Sequence, residues 1–165
     1  MKKIGFFLFI IVLGSYLYFQ GQDNFLKQRF DHSVIILDAD EKLMHISLTT
    51  DDKYRLWSDL KQIDPKFISR IIEMEDKYFY YHFGVNPFSL LRSTYKYLFK
   101  TKGPGASTIS MQLARLVYKI NSRTVMGKLK QLLYATYLEF RLDKEDILES
   151  YLNLIPMGGN REGIE

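Results

Sequence analysis

The chain has 165 residues, 47% of them hydrophobic and 25% charged, which is the composition of one modest globular domain. Its 23 basic and 19 acidic residues give a formal net charge of +4, which suits anionic partners such as lipid phosphates without requiring them. No Lys/Arg run is interleaved with aromatic residues, so nucleic-acid binding is not expected. The absence of cysteine excludes disulfides, thiol nucleophiles and thiolate metal ligands.

The N-terminal segment predicts a membrane anchor. Lys2 and Lys3 precede an almost purely apolar run from Ile4 to Phe19, which is slightly short of the roughly twenty residues that span a bilayer. A cleaved signal peptide is the alternative, but residues 16–19 are bulky where a signal peptidase needs small side chains. We therefore predict that residues 1–20 form a cytoplasmic tip and a single transmembrane helix, with the rest of the chain on the outer side.

A short β-hairpin is the next predicted element. Two runs rich in β-branched and apolar residues, Ser33–Asp38 and Lys42–Leu48, flank a polar turn at 39–41. This hairpin falls within residues 21–64, which we predict to be a linker and β-hairpin region. After Pro65 the apolar residues recur at three- and four-residue spacing, so the pattern changes to helical.

The remainder predicts a mainly α domain over residues 65–165. A Gly-Pro-Gly loop at 103–105 precedes a second helix, for which Ser107 is the predicted N-cap. A third helix is predicted from about Val125 to Arg141, and Asp143 then caps a fourth.

The end of the first long helix carries a Glu at a position where an apolar residue is expected. Glu75 follows Ile72 by three residues and Ile71 by four, so we predict that its carboxylate points along the buried face. Burial disfavours the charged form, which suits a general base or acid working near neutral pH. On the residues alone an alternative stays open, in which Glu75 is salt-bridged at the helix end and His82 is a packed core histidine.

Small residues from Gly105 onward lead into the second helix, whose free N–H groups favour an anion such as phosphate, although most such turns are simply capped helices. Gln112 lies on the seam between Ile109 and Leu116, so its amide needs a polar partner. Four cations that could hold a diphosphate follow: Arg115, Arg123, Lys128 and Lys130. A solvated basic helix face is the usual explanation for such a set.

These segments resemble the glycosyltransferase domain of class A penicillin-binding proteins and of monofunctional peptidoglycan transglycosylases. The family's Glu-Asp-x-x-Phe-x-x-His-x-Gly matches Glu75 to Gly84 without a gap. Its Gly-Gly-Ser-Thr-Ile-Thr-x-Gln matches Gly105 to Gln112, with Ala106 for the second Gly. Together these two motifs are highly specific.

Three further motifs follow in the family's order. The family's third motif, an Arg followed four residues later by Arg-Lys-x-x-Glu, resembles residues 123–131. The fourth motif matches Ile147 to Asn153, and a fifth begins at Gly158. The third departs from the family pattern, because Gln131 replaces the usual Glu and Gly127 replaces the Arg before the Lys. The resemblance covers about residues 29–165 and is greatest to the penicillin-binding protein 1C branch.

The resemblance implies a lysozyme-like fold and an inverting glycosyl transfer that polymerises lipid II at the outer face of the bacterial cytoplasmic membrane. It makes Glu75 the catalytic base, while Arg115, Arg123 and Lys128 stabilise the leaving diphosphate. Mg²⁺ or Mn²⁺ is a candidate to help stabilise the diphosphate, although the sequence does not indicate its ligands. No organic cofactor is expected. The predicted substrate-binding set is Asp76, Phe79, His82, Ser107, Thr108, Gln112, Arg115, Arg123, Lys128 and Gln131.

Lipid II, the growing glycan-lipid and the inner membrane are the implied partners, and other cell-wall synthesis proteins are candidates. One alternative is a lysozyme-like lytic glycosidase, which normally needs a second carboxylate or a substrate-assisted route. Another is an inactive truncated remnant, because the family's domain continues past the fifth motif and its bifunctional members add a transpeptidase domain. We accordingly expect the glycosyltransferase domain at 65–165 to be incomplete at its C-terminus.

Overall fold

The computed structural model describes residues 24–91 and 107–164, together with 10, 13–16 and 18. Most of the predicted anchor at 4–19 and the predicted loop at 103–105 lie outside the described residues. Within the described part of the chain, no helix combines the length and the apolar character needed to cross a bilayer. The transmembrane helix therefore stays a prediction.

Helices make up most of the described domain, so the mainly α prediction is confirmed. A further helix begins at residue 87 and runs to at least 91, where the described stretch ends. Short 3-10 turns span Leu60–Gln62 and Phe79–Tyr81. The α-helices are α1 (Phe25–Arg29), α2 (Pro65–Asp76), α3 (Ile109–Val117), α4 (Val125–Arg141) and α5 (Lys144–Leu154).

Side-chain caps set where the helices begin. Asp143 is the N-cap of α5 as predicted, and its carboxylate accepts the backbone N–H three residues later at 2.8 Å. The N-cap of α3 is Thr108, whose hydroxyl oxygen accepts the N–H of Met111 at 3.2 Å. The prediction of Ser107 for that role is wrong by one residue, because the Ser107 hydroxyl is engaged by Lys128 instead.

The core forms where α3 packs against both α4 and α5. The predicted apolar stripe of α3 is buried at Ile109, Leu113 and Val117, and Leu116 packs at its margin. On α5 the predicted core face is also buried, at Ile147, Leu148, Tyr151 and Leu152. Since α3 carries the second motif, burying its apolar face fixes the direction in which Thr108 and Gln112 point.

Two small sheets complete the fold. Strands β1 (Ile35–Leu37) and β2 (Leu43–Ile46) form the predicted antiparallel hairpin. Each strand is shorter than the sequence run that predicted it, and the hairpin is largely exposed. Strands β3 (Tyr54–Arg55), β4 (Pro156–Gly158) and β5 (Arg161–Glu162) form a second sheet in the order β3-β5-β4. The pairing of β3 with β5 is parallel and joins segments far apart in sequence, which the sequence did not predict.

A buried arginine strengthens this long-range pairing. The Arg55 side chain is 2% exposed and donates to Glu162 at 2.6 and 3.0 Å and to Asp51 at 3.0 Å. Its Nη1 also donates to the Asp31 carbonyl oxygen at 2.9 Å. Further along, the Asn153 side chain of α5 exchanges two hydrogen bonds with the Ser58 backbone. The segment before α2 is thus tied to α5 and to the final hairpin.

Candidate active site

A cleft of about 850 Å³ opens where the end of α2 meets the start of α3. It brings together residues of the first and second motifs, which lie far apart in the chain. Exposed aromatic rings of Tyr78, Tyr81 and Phe88 border it. Among the predicted site residues, those that line the cleft are Glu75, Asp76, His82, Ser107 and Thr108.

Glu75 is exposed at the cleft, so the prediction that it lies on the buried face of the helix is wrong. The inward side of α2 instead runs along Ile68, Ile72 and Asp76 at steps of four residues, and Asp76 is only 7% exposed. Successive helical residues point about 100° apart, so Glu75 is turned from the core toward the cleft. Burial therefore contributes nothing to its chemistry, and its carboxylate is open to the cleft instead.

Asp76 is the carboxylate that lies behind the cleft. It accepts hydrogen bonds from His82 Nε2 at 2.9 and 3.0 Å and from the backbone N–H of Ile109 at 3.1 Å. The helix ends at Asp76, and the chain reaches His82 through a 3-10 turn rather than by the continued helix considered from sequence. Asp76 therefore joins the end of α2, the His82 turn and the start of α3, which sets the shape of the site.

Gln112 supplies the polar partner of Glu75. Its Nε2 donates to Glu75 Oε2 at 2.8 Å, which answers the need for a partner that the helix seam indicated. On its other side, the amide oxygen accepts from the Tyr151 hydroxyl at 3.4 Å. Burial raises the pKa of Tyr151 to about 12, with the Glu75 charge acting in the same direction and Arg115 opposing it. Tyr151 was not predicted as a site residue, because its spacing indicates only the core face of α5.

Lys128 places a positive charge beside the start of α3. Its Nζ donates to Ser107 Oγ at 2.6 Å and to Gln131 Oε1 at 2.9 Å. Burial, together with the positive charge of Arg115, lowers the pKa of Lys128. Arg115 itself is exposed on the last turn of α3. Lys128 of the third motif is therefore joined to the cleft through Ser107 of the second.

Gln131 lies behind Lys128 and is 1% exposed. Both ends of its amide are used inside the protein, because Oε1 accepts from Lys128 and Nε2 donates to the Met111 carbonyl oxygen at 2.6 Å. A carboxylate at this position would set an oxygen against that carbonyl without a proton to share. The amide therefore holds Lys128 in place, and it does not line the cleft.

Gly127 explains the second departure from the family pattern. The first turn of α4 packs so closely on the preceding loop that a Cβ on Gly127 would lie 1.8 Å from the Asn121 carbonyl oxygen. The backbone as it stands has no room for the family's Arg. Arg123, on the same loop, is exposed, and its backbone N–H donates to Asn121 Oδ1 at 3.2 Å.

Phe79 and Thr108 support the site from within. Phe79 is fully buried, and Lys144 Nζ lies 4.5 Å from the centre of its ring. That ammonium donates to the His82 carbonyl oxygen and to Glu139, at 2.7 Å in both cases. Thr108, besides capping α3, donates its hydroxyl to the Gly84 carbonyl oxygen at 2.6 Å. Across residues 24–91 and 107–164, no cluster of three or more metal-ligating side chains is present.

The family model described as Transglycosylase matches residues 40–165, which is most of the chain. The chain therefore belongs to the transglycosylase family, and the family predicted from its motifs is confirmed. Among curated relatives, it is 41% identical over 108 residues to penicillin-binding protein 1C of Escherichia coli K12, a stretch covering 64% of this chain and 14% of that protein.

Two other relatives show how widely the similarity extends. Penicillin-binding protein 1A of Escherichia coli K12 is 40% identical over 114 residues, covering 68% of this chain and 13% of that protein. Penicillin-binding protein 1F of Bacillus subtilis is 29% identical over 174 residues, covering 99% of this chain and 24% of that protein. The chain thus spans a small part of the length of the curated relatives that it matches.

Proposed function

We propose that this chain is a peptidoglycan glycosyltransferase that polymerises lipid II by inverting transfer. The observation that carries the proposal is the position of Glu75. Its carboxylate faces the cleft and is held at 2.8 Å by the amide of Gln112, in the first turn of α3. The mainly helical architecture, with the cleft between helix ends, supports a lysozyme-like arrangement.

Glu75 acts as the general base in the proposed reaction. It takes the proton of the acceptor sugar's 4-hydroxyl while that oxygen attacks C1 of the donor from the side opposite its diphosphate. The new C1–O bond forms as the bond from C1 to the diphosphate oxygen breaks. The electron pair leaves with the diphosphate-lipid, and the configuration at C1 is inverted.

The leaving diphosphate develops negative charge that the site must stabilise. Lys128 meets this need from beside Ser107, and Arg115 adds a second positive charge close enough to lower the pKa of Lys128. Arg123 is the third proposed phosphate contact.

The proposed location is the outer face of the bacterial cytoplasmic membrane, where a tethered enzyme meets its lipid-linked substrate in two dimensions. Two contacts support a close approach of the apolar N-terminal segment to the catalytic part. The ring centre of Tyr16 lies 6.3 Å from that of Phe83 and 5.8 Å from that of Phe140. The growing glycan-lipid and other cell-wall synthesis proteins complete the proposed partners.

A lytic glycosidase is the weaker proposal. It would need a second carboxylate to complement Glu75, and its neighbour Asp76 is already committed to His82 and to the N–H of Ile109. Glu73, another carboxylate that lines the cleft, pairs with Arg70 at 3.2 Å. The transferase needs only one base together with cations, and Lys128 supplies a cation beside Ser107.

The test supplies the full chain in detergent micelles with lipid II and, separately, with finished peptidoglycan. We expect glycan polymer from lipid II, its loss in Glu75→Gln, and its retention in Glu145→Gln, which changes an exposed carboxylate of α5 outside the cleft. Fragments released from peptidoglycan without polymer from lipid II would overturn the proposal in favour of the lytic alternative.

A further inference from the structure

Tyr151 is a buried residue of α5 whose hydroxyl ends the hydrogen-bond chain leading to Glu75. Only 5% of the residue is exposed, and its hydroxyl contacts the Gln112 amide oxygen rather than the cleft. We propose that Tyr151 is a positioning residue for Glu75, acting through the Gln112 amide. The proposal rests on the function proposed above and adds a residue of the fourth motif that helical spacing assigned only to the core of α5.

The Gln112 amide can present either end to Glu75, and only one end is productive. With Nε2 toward the carboxylate, the amide donates a hydrogen bond at 2.8 Å, whereas the flipped amide would set its oxygen against a negative charge. The Tyr151 hydroxyl favours the productive orientation, because it donates to the amide oxygen on the far side. Its raised pKa of about 12 keeps that proton in place at physiological pH.

The two links of this chain differ in length. The contact from Tyr151 to Gln112 is 3.4 Å and the contact from Gln112 to Glu75 is 2.8 Å. The first link is long for an O–H donor, so it contributes mainly by selecting the amide orientation. The second link is charge-assisted and holds the carboxylate. Helices α2, α3 and α5 each supply one residue, so their packing places a buried hydroxyl in line with the base.

Losing the hydroxyl has consequences that a purely structural role would not produce. The Gln112 amide would sample the flipped orientation, and the Glu75 carboxylate would be held in its productive position for less of the time. The kcat for polymerisation would therefore fall. The KM for lipid II would change little, because the hydroxyl contacts the Gln112 side chain and not the cleft.

The test compares Tyr151→Phe with Tyr134→Phe, a matched change on α4 whose ring stacks on Tyr118 away from the cleft. Polymerisation of lipid II by the full chain is followed as kcat and KM. We expect about a ten-fold lower kcat in Tyr151→Phe, on the scale of one lost hydrogen bond, with KM little changed. Tyr134→Phe should match the wild type in both kcat and KM.

A double-mutant cycle separates action through Gln112 from other effects. Because Gln112→Met already removes the donor to Glu75, adding Tyr151→Phe to it should lower kcat no further. An equal loss from Tyr151→Phe in both backgrounds, or a raised KM with kcat unchanged, would overturn the inference.

Folding and function are checked independently. NMR of the ¹⁵N-labelled Gln112 side-chain amide follows its hydrogen bonding without turnover, and signals in Tyr151→Phe identical to those of the wild type contradict the inference even if activity is lost. If Tyr151→Phe is unfolded even without denaturant, the residue serves stability alone, and the proposal is contradicted. A wild-type chain inactive on lipid II would instead contradict the proposed function.

Discussion

Replacing Arg55 with Met should destabilise the fold strongly, because it removes the centre of a buried ionic cluster. Arg55→Met keeps a long flexible chain but deletes the bonds to Glu162, Asp51 and the Asp31 carbonyl oxygen. It also deletes the guanidinium that lies 5.2 Å from the centre of the Phe30 ring. The change therefore tests whether the segment before α2 is held to the final hairpin.

The size of the effect follows from how buried the abandoned partners are. Removing one member of a fully buried ion pair costs roughly 3 to 5 kcal/mol, because the other charge stays desolvated. Here the Glu162 side chain is 18% exposed and that of Asp51 is 43% exposed, so water can partly solvate both. We expect Arg55→Met to lower the free energy of unfolding by about 2 to 4 kcal/mol.

The matched control is Arg70→Met on α2, since Arg70 pairs with Glu73 through a side chain that is 77% exposed. A surface pair of this kind is worth about 0 to 1 kcal/mol, so the control should differ little from the wild type. Urea unfolding in detergent is followed by the fluorescence of Trp57, the single tryptophan, two residues from Arg55. Equal losses in the two variants would refute the reasoning.

Three more changes probe the site and its supports. Gly127→Ala should destabilise the chain by roughly 1 to 3 kcal/mol in thermal unfolding, despite the better helix propensity of Ala, because its Cβ would meet the Asn121 carbonyl oxygen; a higher melting temperature would contradict this. Lys128→Arg should carry polymerisation to more alkaline pH, since the lowered pKa of Lys128 makes the wild type lose that charge below the ordinary 10.5; coincident alkaline limbs would argue against Lys128 as a diphosphate contact. Hydrogen bonds from Arg55 hold the pKa of Asp51 below 3.8, so Asp51 stabilises the fold above that pH and ceases to as pH falls through its folded pKa. Asp51→Asn should therefore flatten the decline in stability below about pH 4, measured by urea unfolding across pH, and an unchanged slope would count against this assignment.

The helices were predictable because their signals are local. Apolar spacing and the Asp143 cap predicted α5, and the boundaries of α4 coincide with the predicted Val125–Arg141. The family was predictable for a similar reason, since the Glu75 to Gly84 motif is contiguous and specific. The sequence also indicated that Gln112 needs a polar partner, and Glu75 is that partner.

Two predictions were wrong, and each concerns a pair of neighbouring residues between which the sequence pattern does not decide. Glu75 follows Ile72 by three residues and Asp76 follows it by four, so spacing alone does not say which of the two turns inward. The packing of α3 decides it, because the Ile109 N–H needs an acceptor and Asp76 provides one. Ser107 and Thr108 are equally suitable caps by residue type, and the Gly84 carbonyl oxygen selects Thr108.

By itself, the sequence determined the helical class of this protein, its transglycosylase family and the identity of the proposed base. Only the tertiary structure decided that Glu75 is exposed, that Gln131 is buried behind Lys128, and that Tyr151 lies within reach of the Gln112 amide. The pairing of β3 with β5 also belongs to this second group. The physical reason is that periodicity and capping depend on residues within a few turns, whereas burial and long-range hydrogen bonds depend on which elements pack together.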